Sequence, residues 1–379
     1  MYMFKNFWYA IAFSEEITAT PSKHRLLAQD LVLWRASNGE VRALSNTCIH
    51  RGGSLSQGKV EDDNIVCPYH GWGFGGDGAC TVIPANGRGK PISKRARVDS
   101  YPVEERYGWI WVFPGDIPEE ERVPIPDLSF MDDPEYRSVS GEWTWNANYE
   151  RVVENGTDQS HTPFVHGGVF GDPKAPPVEE FEIEVGEWWA RLTVEQFSPN
   201  KPAGKLTQIF PKSRAYKEDE PTPPVLVKTA FFFPSIVMID LTIPKLGRQV
   251  IWDTNIPVDE YTTLTKWKGY RNFYKTPWAD RIAKKMIEKV FAQDDVVVNE
   301  ITPELIPTEL NGELHLRSDQ MSLEFRKIKQ KAVDLGYSVL GTSEGTKSMK
   351  TIIASPYRRE EGLENSWILP ATPEGSTNL

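Results

Sequence analysis

Two pairs of cysteine and histidine residues offer the clearest metal-binding chemistry in this sequence. Cys48 and His50 form a Cys-x-His pair, and Cys67 and His70 form a Cys-x-x-His pair after 16 intervening residues. Two thiolates and two imidazoles could hold zinc in a closed tetrahedral site, but zinc sites usually pair Cys with Cys and His with His. Mixed pairs allow the two cysteines to bind one iron of a [2Fe–2S] cluster and the two histidines to bind the other.

A second group of potential ligands lies in the middle of the chain. Asn155, Asp158 and His161 are spaced three apart, which predicts that they share one face of a helix. His166 follows beyond Pro163 and is expected to approach from the next turn. Two histidines and one carboxylate form the facial triad of non-haem Fe(II) oxygenases, which leaves coordination positions open for O2 and substrate.

The carboxylate of this triad must come from elsewhere in the chain. Asp294 lies four residues after Val290 and three after Phe291, which places it on the apolar face of a predicted helix. The neighbouring Asp295 is the alternative, and would otherwise be a solvated charge on that helix. We expect Asp294 to be the ligand, although the sequence leaves Asp295 open.

The residues around both groups resemble those of the Rieske-type non-haem iron oxygenases that hydroxylate or demethylate aromatic compounds. The matching segments begin at Cys48-Ile49-His50-Arg51-Gly52-Gly53 and Cys67-Pro68-Tyr69-His70-Gly71-Trp72. The resemblance implies both a Rieske cluster and a mononuclear Fe(2+). The implied cluster ligands are Cys48, His50, Cys67 and His70. The implied ligands of the mononuclear iron are His161, His166 and Asp294.

The resemblance also implies how the two centres communicate. Asp158, with Asn155 as the second candidate catalytic residue, would bridge to a cluster-ligating histidine of a neighbouring subunit in a head-to-tail homotrimer. A ferredoxin or a flavin reductase would deliver electrons from NAD(P)H, and O2 would be the co-substrate. Such an enzyme would insert one oxygen atom into a C–H bond of a small aromatic or heterocyclic substrate, and an N- or O-methyl group would then leave as formaldehyde.

The likeness favours the demethylase and monooxygenase branch, such as methylxanthine N-demethylases and vanillate-type O-demethylases. It is carried by residues 151–166, 291–298 and 324–327. Two residues separate Asn155 from Asp158, whereas some dioxygenases have three. An aromatic ring-dihydroxylating dioxygenase stays open as an alternative, as do a non-catalytic Rieske electron carrier and a zinc-stabilised binding module.

The elements that must position these residues suggest two domains. Short alternating strands from about residue 25 to 113 predict an all-β module, and a Pro-, Asp- and Glu-rich stretch at 114–136 predicts a linker. A helical stretch to about Ser160, later strand-like runs and two helices, opening at Thr276-Pro277 and Ser318, predict an antiparallel sheet flanked by helices. The predicted fold class is α+β and helix-grip-like, with a Rieske domain at 1–120, a catalytic domain at 121–340 and a weakly structured tail at 341–379.

Composition disfavours several other classes of protein. The 379 residues carry a net charge of −10, which would repel a nucleic acid. The longest apolar stretch, residues 231–243, is interrupted by Pro234 and Asp240 and is too short to span a membrane, and the N-terminus lacks the pattern of a signal peptide. Three cysteines cannot build a disulfide framework, so we expect a cytoplasmic protein in which Cys80 is a small buried side chain.

Two further features each allow two interpretations. The basic run at residues 87–97 is either a solvated face or a docking patch for an acidic electron-transfer partner. Several aromatic residues either line an apolar substrate pocket or belong to the core. They are Phe164, Phe170, Phe231, Phe232, Phe233, Trp252 and Phe273.

Overall fold

The described residues of this chain fall into two compact units. The structure, a computed structural model, describes residues 2–87, 89–167, 180–196, 224–307, 309–340, 352–361 and 371. Within these, one unit is drawn from residues 1–127, 256–260 and 332–379, and the other from 128–255 and 261–331. Each unit is described by itself below.

Strands dominate the described residues, and none of the described helices is long and apolar enough to cross a membrane. The strands are β1 (Tyr2–Phe4), β2 (Tyr9–Phe13), β3 (Ser22–Leu26), β4 (Gln29–Arg35), β5 (Val41–Ser45), β6 (Lys59–Glu61), β7 (Asn64–Val66), β8 (Gly73–Phe74), β9 (Cys80–Val82), β10 (Ser100–Tyr101), β11 (Val103–Arg106), β12 (Trp109–Val112), β13 (Arg137–Trp145), β14 (Glu182–Val185), β15 (Trp189–Gln196), β16 (Val225–Phe232), β17 (Ile236–Ile243), β18 (Gly247–Pro257), β19 (Thr263–Arg271) and β20 (Ser338–Leu340). The α-helices are α1 (Tyr149–Thr157), α2 (Thr162–Val165), α3 (Pro277–Val298), α4 (Gln320–Asp334) and α5 (Pro356–Glu361).

The first unit contains the expected all-β module. Its sheets have the strand orders β10-β5-β4-β3, β11-β12-β2, β6-β7-β8-β9 and β1-β20. Cys48 and Cys67 are both buried in a core with Trp34, Leu55 and Phe74. The thiols of the first ligand group are therefore held by the packing of this module rather than by a surface loop alone.

Residues 352–361 contradict the expectation of a weakly structured tail. Ile352 and Ile353 are buried, and α5 follows them directly. Arg358 on α5 forms an ion pair with Asp99, in which Nη2 lies 2.6 Å from Oδ2 and both side chains are buried. Two apolar residues and one buried ion pair fix this segment, although the composition around it suggests a flexible one.

The second unit is a seven-stranded antiparallel sheet with helices on one face, which confirms the predicted fold class. The strand order is β13-β19-β18-β17-β16-β15-β14. Helix α1 packs on β16 and β17, and the long helix α3 packs on β13 and β19. Thr276 is the N-cap residue of α3 and Pro277 its first residue, as predicted.

Alternate residues of the strands face these helices. Ile239 of β17 and Ile251 of β18 pack with Ile287 of α3, and Trp143 and Trp145 of β13 form a cluster that includes Phe291. The helix that carries Asp294 is thereby fixed against the sheet by large apolar side chains. Because strand side chains alternate, this face also comprises every second residue along each strand.

Candidate metal centres

Three side chains from two elements converge in the second unit. His161 and His166 flank the short helix α2, and Asp294 is a buried residue of α3. His161 Nε2 lies 3.3 Å from His166 Nε2 and 3.4 Å from Asp294 Oδ1, and the third side of this triangle, from His166 Nε2 to Asp294 Oδ1, is 3.1 Å. In the described part of the chain, no other group of three His, Cys, Asp or Glu ligand atoms lies within 4.8 Å of one another.

This triangle has the dimensions of a metal site. Three adjacent ligands at roughly 2.1 Å from a divalent ion lie about 3 Å apart. Asp294 Oδ1 is buried and accepts no well-directed hydrogen bond from the described residues, despite its two imidazole neighbours. Leaving a buried oxygen without a hydrogen bond is costly, so the converging lone pairs fit a metal ion. Two imidazoles and one carboxylate are the donor set of non-haem Fe(II).

The charges of the triad stabilise one another. Burial alone would lower the pKa of His161, but the carboxylates of Asp158 and Asp294 outweigh burial and raise that pKa to about 9. Burial would raise the pKa of Asp294, but His161 and His166 hold it below its usual value. The site therefore favours positive charge at its centre, where a divalent cation would replace an imidazole proton.

The prediction that Asn155, Asp158 and His161 share one helical face is wrong. Helix α1 ends at Thr157, and Asp158 follows in an extended conformation with φ −77° and ψ 130°. Asp158 Oδ1 accepts a hydrogen bond of 2.7 Å from the Ser160 N–H, a local bond that competes with continuation of the helix.

The turn after α1 nevertheless brings Asp158 to the triad. Asp158 Oδ2 lies 3.5 Å from His161 Nδ1, on the ring edge opposite the one that faces Asp294. The Asp158 side chain is 32% exposed, so it is accessible from outside. Asn155 lies earlier, on α1, and no hydrogen bond joins its side chain to the triad in the described residues.

Residues that sequence analysis missed hold the two histidines in place. Gln293 Oε1 lies 3.3 Å from His166 Nδ1 and can accept a hydrogen bond from it. With the proton on Nδ1, the lone pair of Nε2 is free to bind a metal ion. Gln159 Nε2 donates to Thr229 Oγ1 at 2.5 Å, which ties the connection between α1 and α2 to β16. The only sequence signal for Gln293 is that it precedes Asp294.

A buried carboxyl group of β18 lies on the face of the sheet that packs against α1 and α3. Asp253 is 5% exposed, and its Oδ1 accepts a hydrogen bond of 2.7 Å from Asn255 Nδ2. Burial raises the pKa of Asp253 to about 7, and the charge of Asp294 contributes to the rise while Asn255 opposes it. Asp253 belongs to neither of the two ligand groups that the sequence predicts.

The four residues of the first ligand group lie in two matching loops of the first unit. The Cys48 N–H donates to the Gly53 carbonyl at 2.9 Å, and the Cys67 N–H donates to the Trp72 carbonyl at 2.8 Å. Each loop turns through a glycine with positive φ, which is Gly52 in the first loop and Gly71 in the second. The third cysteine, outside both loops, is buried as expected.

The two imidazoles of these loops are adjacent. The ring centroids of His50 and His70 are 4.4 Å apart, and Trp72 stacks on His50 at 4.5 Å. His50 Nδ1 is buried and has no hydrogen-bond partner among the described residues. Desolvation, together with His70 and Arg51, lowers the pKa of His50, which favours the neutral form that ligates metals.

This donor set fits a two-iron cluster better than a single ion. Whereas the triad atoms converge, no three ligand atoms of these four residues lie within 4.8 Å of one another in the described structure. A Cβ on Gly53 would lie 2.9 Å from Cys67 Sγ, so the missing side chain leaves room at the sulfur. Two buried thiols and two neighbouring imidazoles match the Cys2His2 ligation of a Rieske cluster.

The basic run at residues 87–97 is not uniformly a surface feature. Lys90, Lys94 and Arg95 are exposed, whereas Arg97 is buried. Arg97 Nη2 donates to the Asp77 carbonyl at 2.8 Å, and its guanidinium lies 3.5 Å from the centroid of the Tyr357 ring. The expectation that the whole run is solvated is wrong at Arg97, which belongs to the packing of the unit.

The aromatic residues proposed for a substrate pocket separate into different environments. Phe164 is 64% exposed, so it does not belong to the core. Phe231 and Phe233 are buried and both pack against Phe325 of α4, as core residues do. Phe170 lies outside the described residues.

Comparison with known proteins shows relatives that span both units. Residues 7–102 match the profile of the Rieske [2Fe-2S] domain, and residues 145–335 match that of the vanillate O-demethylase oxygenase C-terminal domain. The chain is 28% identical to methylxanthine N1-demethylase NdmA of Pseudomonas putida over 337 residues, or 85% of this chain and 87% of that protein. It is 30% identical to methylxanthine N3-demethylase NdmB of the same organism over 347 residues, or 85% and 88%. The crystal structure of dicamba monooxygenase bound to 3,6-dichlorosalicylic acid is similar with a TM-score of 0.74 and 25% identity, covering 88% of this chain and 99% of that one.

Proposed function

This chain belongs to the Rieske non-haem iron oxygenases of the vanillate O-demethylase type, and on that premise we propose how its own residues carry out an oxidative N- or O-demethylation. It is the terminal oxygenase component of a multicomponent system, with a Rieske [2Fe–2S] cluster and a mononuclear Fe(2+) as cofactors. The observation that carries the proposal is the triangle of His161, His166 and Asp294.

Residues 1–120 receive electrons, and Cys48, His50, Cys67 and His70 hold the cluster. Support comes from the two buried thiols and the adjacent imidazoles. His70 is exposed, and the neighbouring Tyr69 is 65% exposed, so the imidazole side of the cluster is the accessible one. Electrons therefore enter and leave through the histidines rather than through the buried cysteines.

Residues 121–340 carry out the oxygenation. The mononuclear iron, when bound, supplies the reductive activation of O2. His161, His166 and Asp294 would hold it, and no further His, Cys, Asp or Glu of the described residues joins this group, so O2 and substrate could reach the metal. Gln293 orients His166, and the sheet behind α3 keeps water from this side of the site.

Asp158 passes electrons to His161 from a neighbouring copy of the chain in a homotrimer. Two properties support this role: its carboxylate adjoins His161 Nδ1, and its side chain is partly exposed. Phe164, in the helix between the two histidines, is 64% exposed and would be covered by such a contact. A cluster imidazole of the neighbouring copy would then complete the route.

A ferredoxin or a flavin reductase supplies the electrons, ultimately from NAD(P)H. The exposed cations Lys90, Lys94 and Arg95 support a docking role for that part of the cluster-bearing unit. The protein functions in the cytoplasm, where disulfides are rare, and none of its three cysteines forms one. If the docking role is correct, the rate of cluster reduction will fall as salt is raised.

The substrate is a small aromatic or heterocyclic compound with an N- or O-methyl group. The test is a screen of the holoenzyme with a surrogate reductase, in which O2 uptake and formaldehyde release are measured together. Formaldehyde in proportion to O2 supports demethylation, whereas a cis-diol product without formaldehyde would support a ring dioxygenase. A protein with about two irons per chain and no O2 uptake would instead be an electron carrier.

A further inference from the structure

Among the described residues, one inward-facing carboxyl group of the seven-stranded sheet has no counter-ion. At the described strand positions that face α1 and α3, the charged residues are Asp253, Arg137 and Arg271. Both arginines pair with Asp280 in the first turn of α3. Because α3 rises about 1.5 Å per residue, Asp280 is roughly 21 Å along the helix from Asp294. Asp280 therefore pairs with both inward arginines, and Asp253 is the inward charge that has no oppositely charged partner among the described residues.

Asp253 lies in the strip of sheet between the two helices that bring the triad together. It pairs with Val237 of β17, and Val237 packs under α1, where a Cβ on Gly156 would lie 3.2 Å from Val237 Cγ1. The next inward residue of β18, Ile251, packs with Ile287 of α3. Asp253 therefore faces the strip of sheet between α1, which precedes the two histidines, and α3, which carries Asp294.

A relay of buried hydrogen bonds orients the Asp253 carboxyl group. Trp145 Nε1 donates to Thr265 Oγ1 at 2.7 Å, and Thr265 Oγ1 donates to Asn255 Oδ1 at 2.5 Å. Asn255 Nδ2 then donates to Asp253 Oδ1. Within the described ranges, no second donor bonds to Asp253, and no lysine or arginine pairs with it.

Burial of the Asp253 carboxyl group without a cation is unfavourable for folding, so we expect it to serve a function. A carboxyl group buried without a cation costs free energy, and an asparagine could satisfy Asn255 without that cost. Polar groups placed singly in an otherwise apolar binding site fix the orientation and the identity of a ligand. Two inward neighbours of Asp253, Val237 and Ile251, are apolar, and its polar neighbour on β18, Asn255, is already bonded to it.

We propose that Asp253 is a specificity-determining residue that accepts a hydrogen bond from an N–H or O–H group of the substrate and excludes substrates with a carboxylate or sulfonate at that position. The inference rests on the proposed function, and it narrows the substrate class to neutral or cationic methylated aromatic or heterocyclic compounds. Vanillate and dicamba both carry a carboxylate, which a buried Asp253 would repel. A substrate N–H could donate a second hydrogen bond to the Asp253 carboxyl group, which accepts one from Asn255.

The test is binding of matched probes to the iron-loaded protein at pH 8.5, where Asp253, with a pKa of about 7, is ionised, measured by titration calorimetry without reductase. The probes are 4-methoxybenzamide, which offers an N–H donor, and 4-methoxybenzoate, which carries a charge. We expect the wild type to bind the amide at least about tenfold more tightly. Asp253→Asn keeps the size and removes the charge, so this preference should shrink to less than about threefold. Asp253→Glu keeps the charge and should still exclude the benzoate.

Three results would overturn the inference: equal binding of both probes by the wild type, an unchanged preference in Asp253→Asn, or no binding of either probe to any of the three proteins. Formaldehyde release from the bound amide tests the proposed function separately. Discrimination in binding without formaldehyde would contradict demethylation and leave the role of Asp253 intact. Formaldehyde release from both probes at equal affinity would support demethylation and contradict the role of Asp253.

Discussion

Asp158 Oδ2 lies 3.5 Å from His161 Nδ1, while Nε2 of the same ring faces His166 and Asp294. One imidazole thus separates a partly exposed carboxylate from the centre of the triad. A carboxylate oxygen lies within 3.5 Å of each of the two ring nitrogens. This arrangement is what an electron route from the outside of the unit to a bound metal requires.

Asp158→Asn should therefore keep both metal centres and slow electron delivery. The amide has nearly the size of the carboxylate but lacks its charge, so we expect turnover to fall by roughly 10- to 100-fold. Stopped-flow measurement of cluster oxidation, with substrate and O2 present, would locate the slow step. Glu135→Gln, at a side chain that is 76% exposed, is the control and should behave as the wild type. Normal turnover of Asp158→Asn at full iron content would remove the bridging role.

Asp294 and Asp295 provide a matched pair for identifying the third iron ligand. Asp294→Asn should lower the iron content from about three to about two atoms per chain and leave the visible spectrum of the cluster unchanged. Asp295 instead accepts hydrogen bonds from Trp143 Nε1 at 3.3 Å and Asn299 Nδ2 at 3.0 Å, so Asp295→Asn should keep all the iron. Metal analysis and the cluster spectrum of both variants decide the point. The reverse pattern would make Asp295 the ligand.

Gly53→Ala should impair assembly of the cluster. The new Cβ would lie 2.9 Å from Cys67 Sγ, closer than such contacts occur, and that sulfur is positioned by the buried loop. Gly52→Ala is the control because nothing lies within 4 Å of its Cβ, although its φ of +71° should still cost about 1 kcal/mol of stability. Iron and sulfide analysis of both purified variants measures the effect. Equal cluster content in the two would show that the sulfur tolerates the methyl group.

The side chains that come together in the two candidate sites could be predicted because their chemistry is local. Cys48 and His50 are close in the chain, as are His161 and His166, so their spacing alone restricts which metals they suit. The spacing of apolar residues around Asp294 likewise predicted that this residue lies on the buried face of α3. Comparison with relatives then confirmed the family, the fold class and the demethylase branch.

Features that depend on competition between local and distant contacts could not be predicted. The end of α1 depends on whether Asp158 bonds to Ser160 or continues the helix, and the two differ by a small free energy. Asp253 lies in an alternating strand, where a charged residue suggests a solvent-facing position. Its inward direction is visible only from the register with Val237.

Asp280 makes the stability of the second unit dependent on pH in the acid range. The hydrogen bonds and charge of Arg137 and Arg271 outweigh burial and lower the pKa of Asp280 from 3.8 to about 2. The folded state therefore binds fewer protons than the unfolded state between these two pKa values. The interaction of Asp280 with the two arginines stabilises the unit above pH 3.8, and this stabilisation is lost as the pH falls to about 2. Urea unfolding between pH 5 and 2 measures it. Asp280→Asn should be less stable at pH 5 and lose less stability on acidification, and parallel pH profiles would contradict the prediction.

The Arg358 side chain should stabilise the first unit from the C-terminal side. Its Nε and Nη2 donate to the two carboxylate oxygens of Asp99 at 2.8 and 2.6 Å, and the Asp99 carbonyl accepts from the Ser45 N–H at 2.9 Å. Arg358 and Ile49, the residue between Cys48 and His50, line the same narrow gap. Arg358→Gln leaves the buried Asp99 without a counter-ion, so we expect a loss of roughly 3–5 kcal/mol.

Arg359 is the matched control for this prediction. Its side chain is 52% exposed and lies 3.8 Å from Asp116, so Arg359→Gln should change stability by less than about 1 kcal/mol. Thermal unfolding followed by far-ultraviolet circular dichroism and by the visible absorbance of the cluster compares the two variants. Because the pair adjoins the first cluster loop, Arg358→Gln should lose the absorbance at a lower temperature than Arg359→Gln. If the two variants melt and lose their clusters together, residues 352–361 do not support that loop.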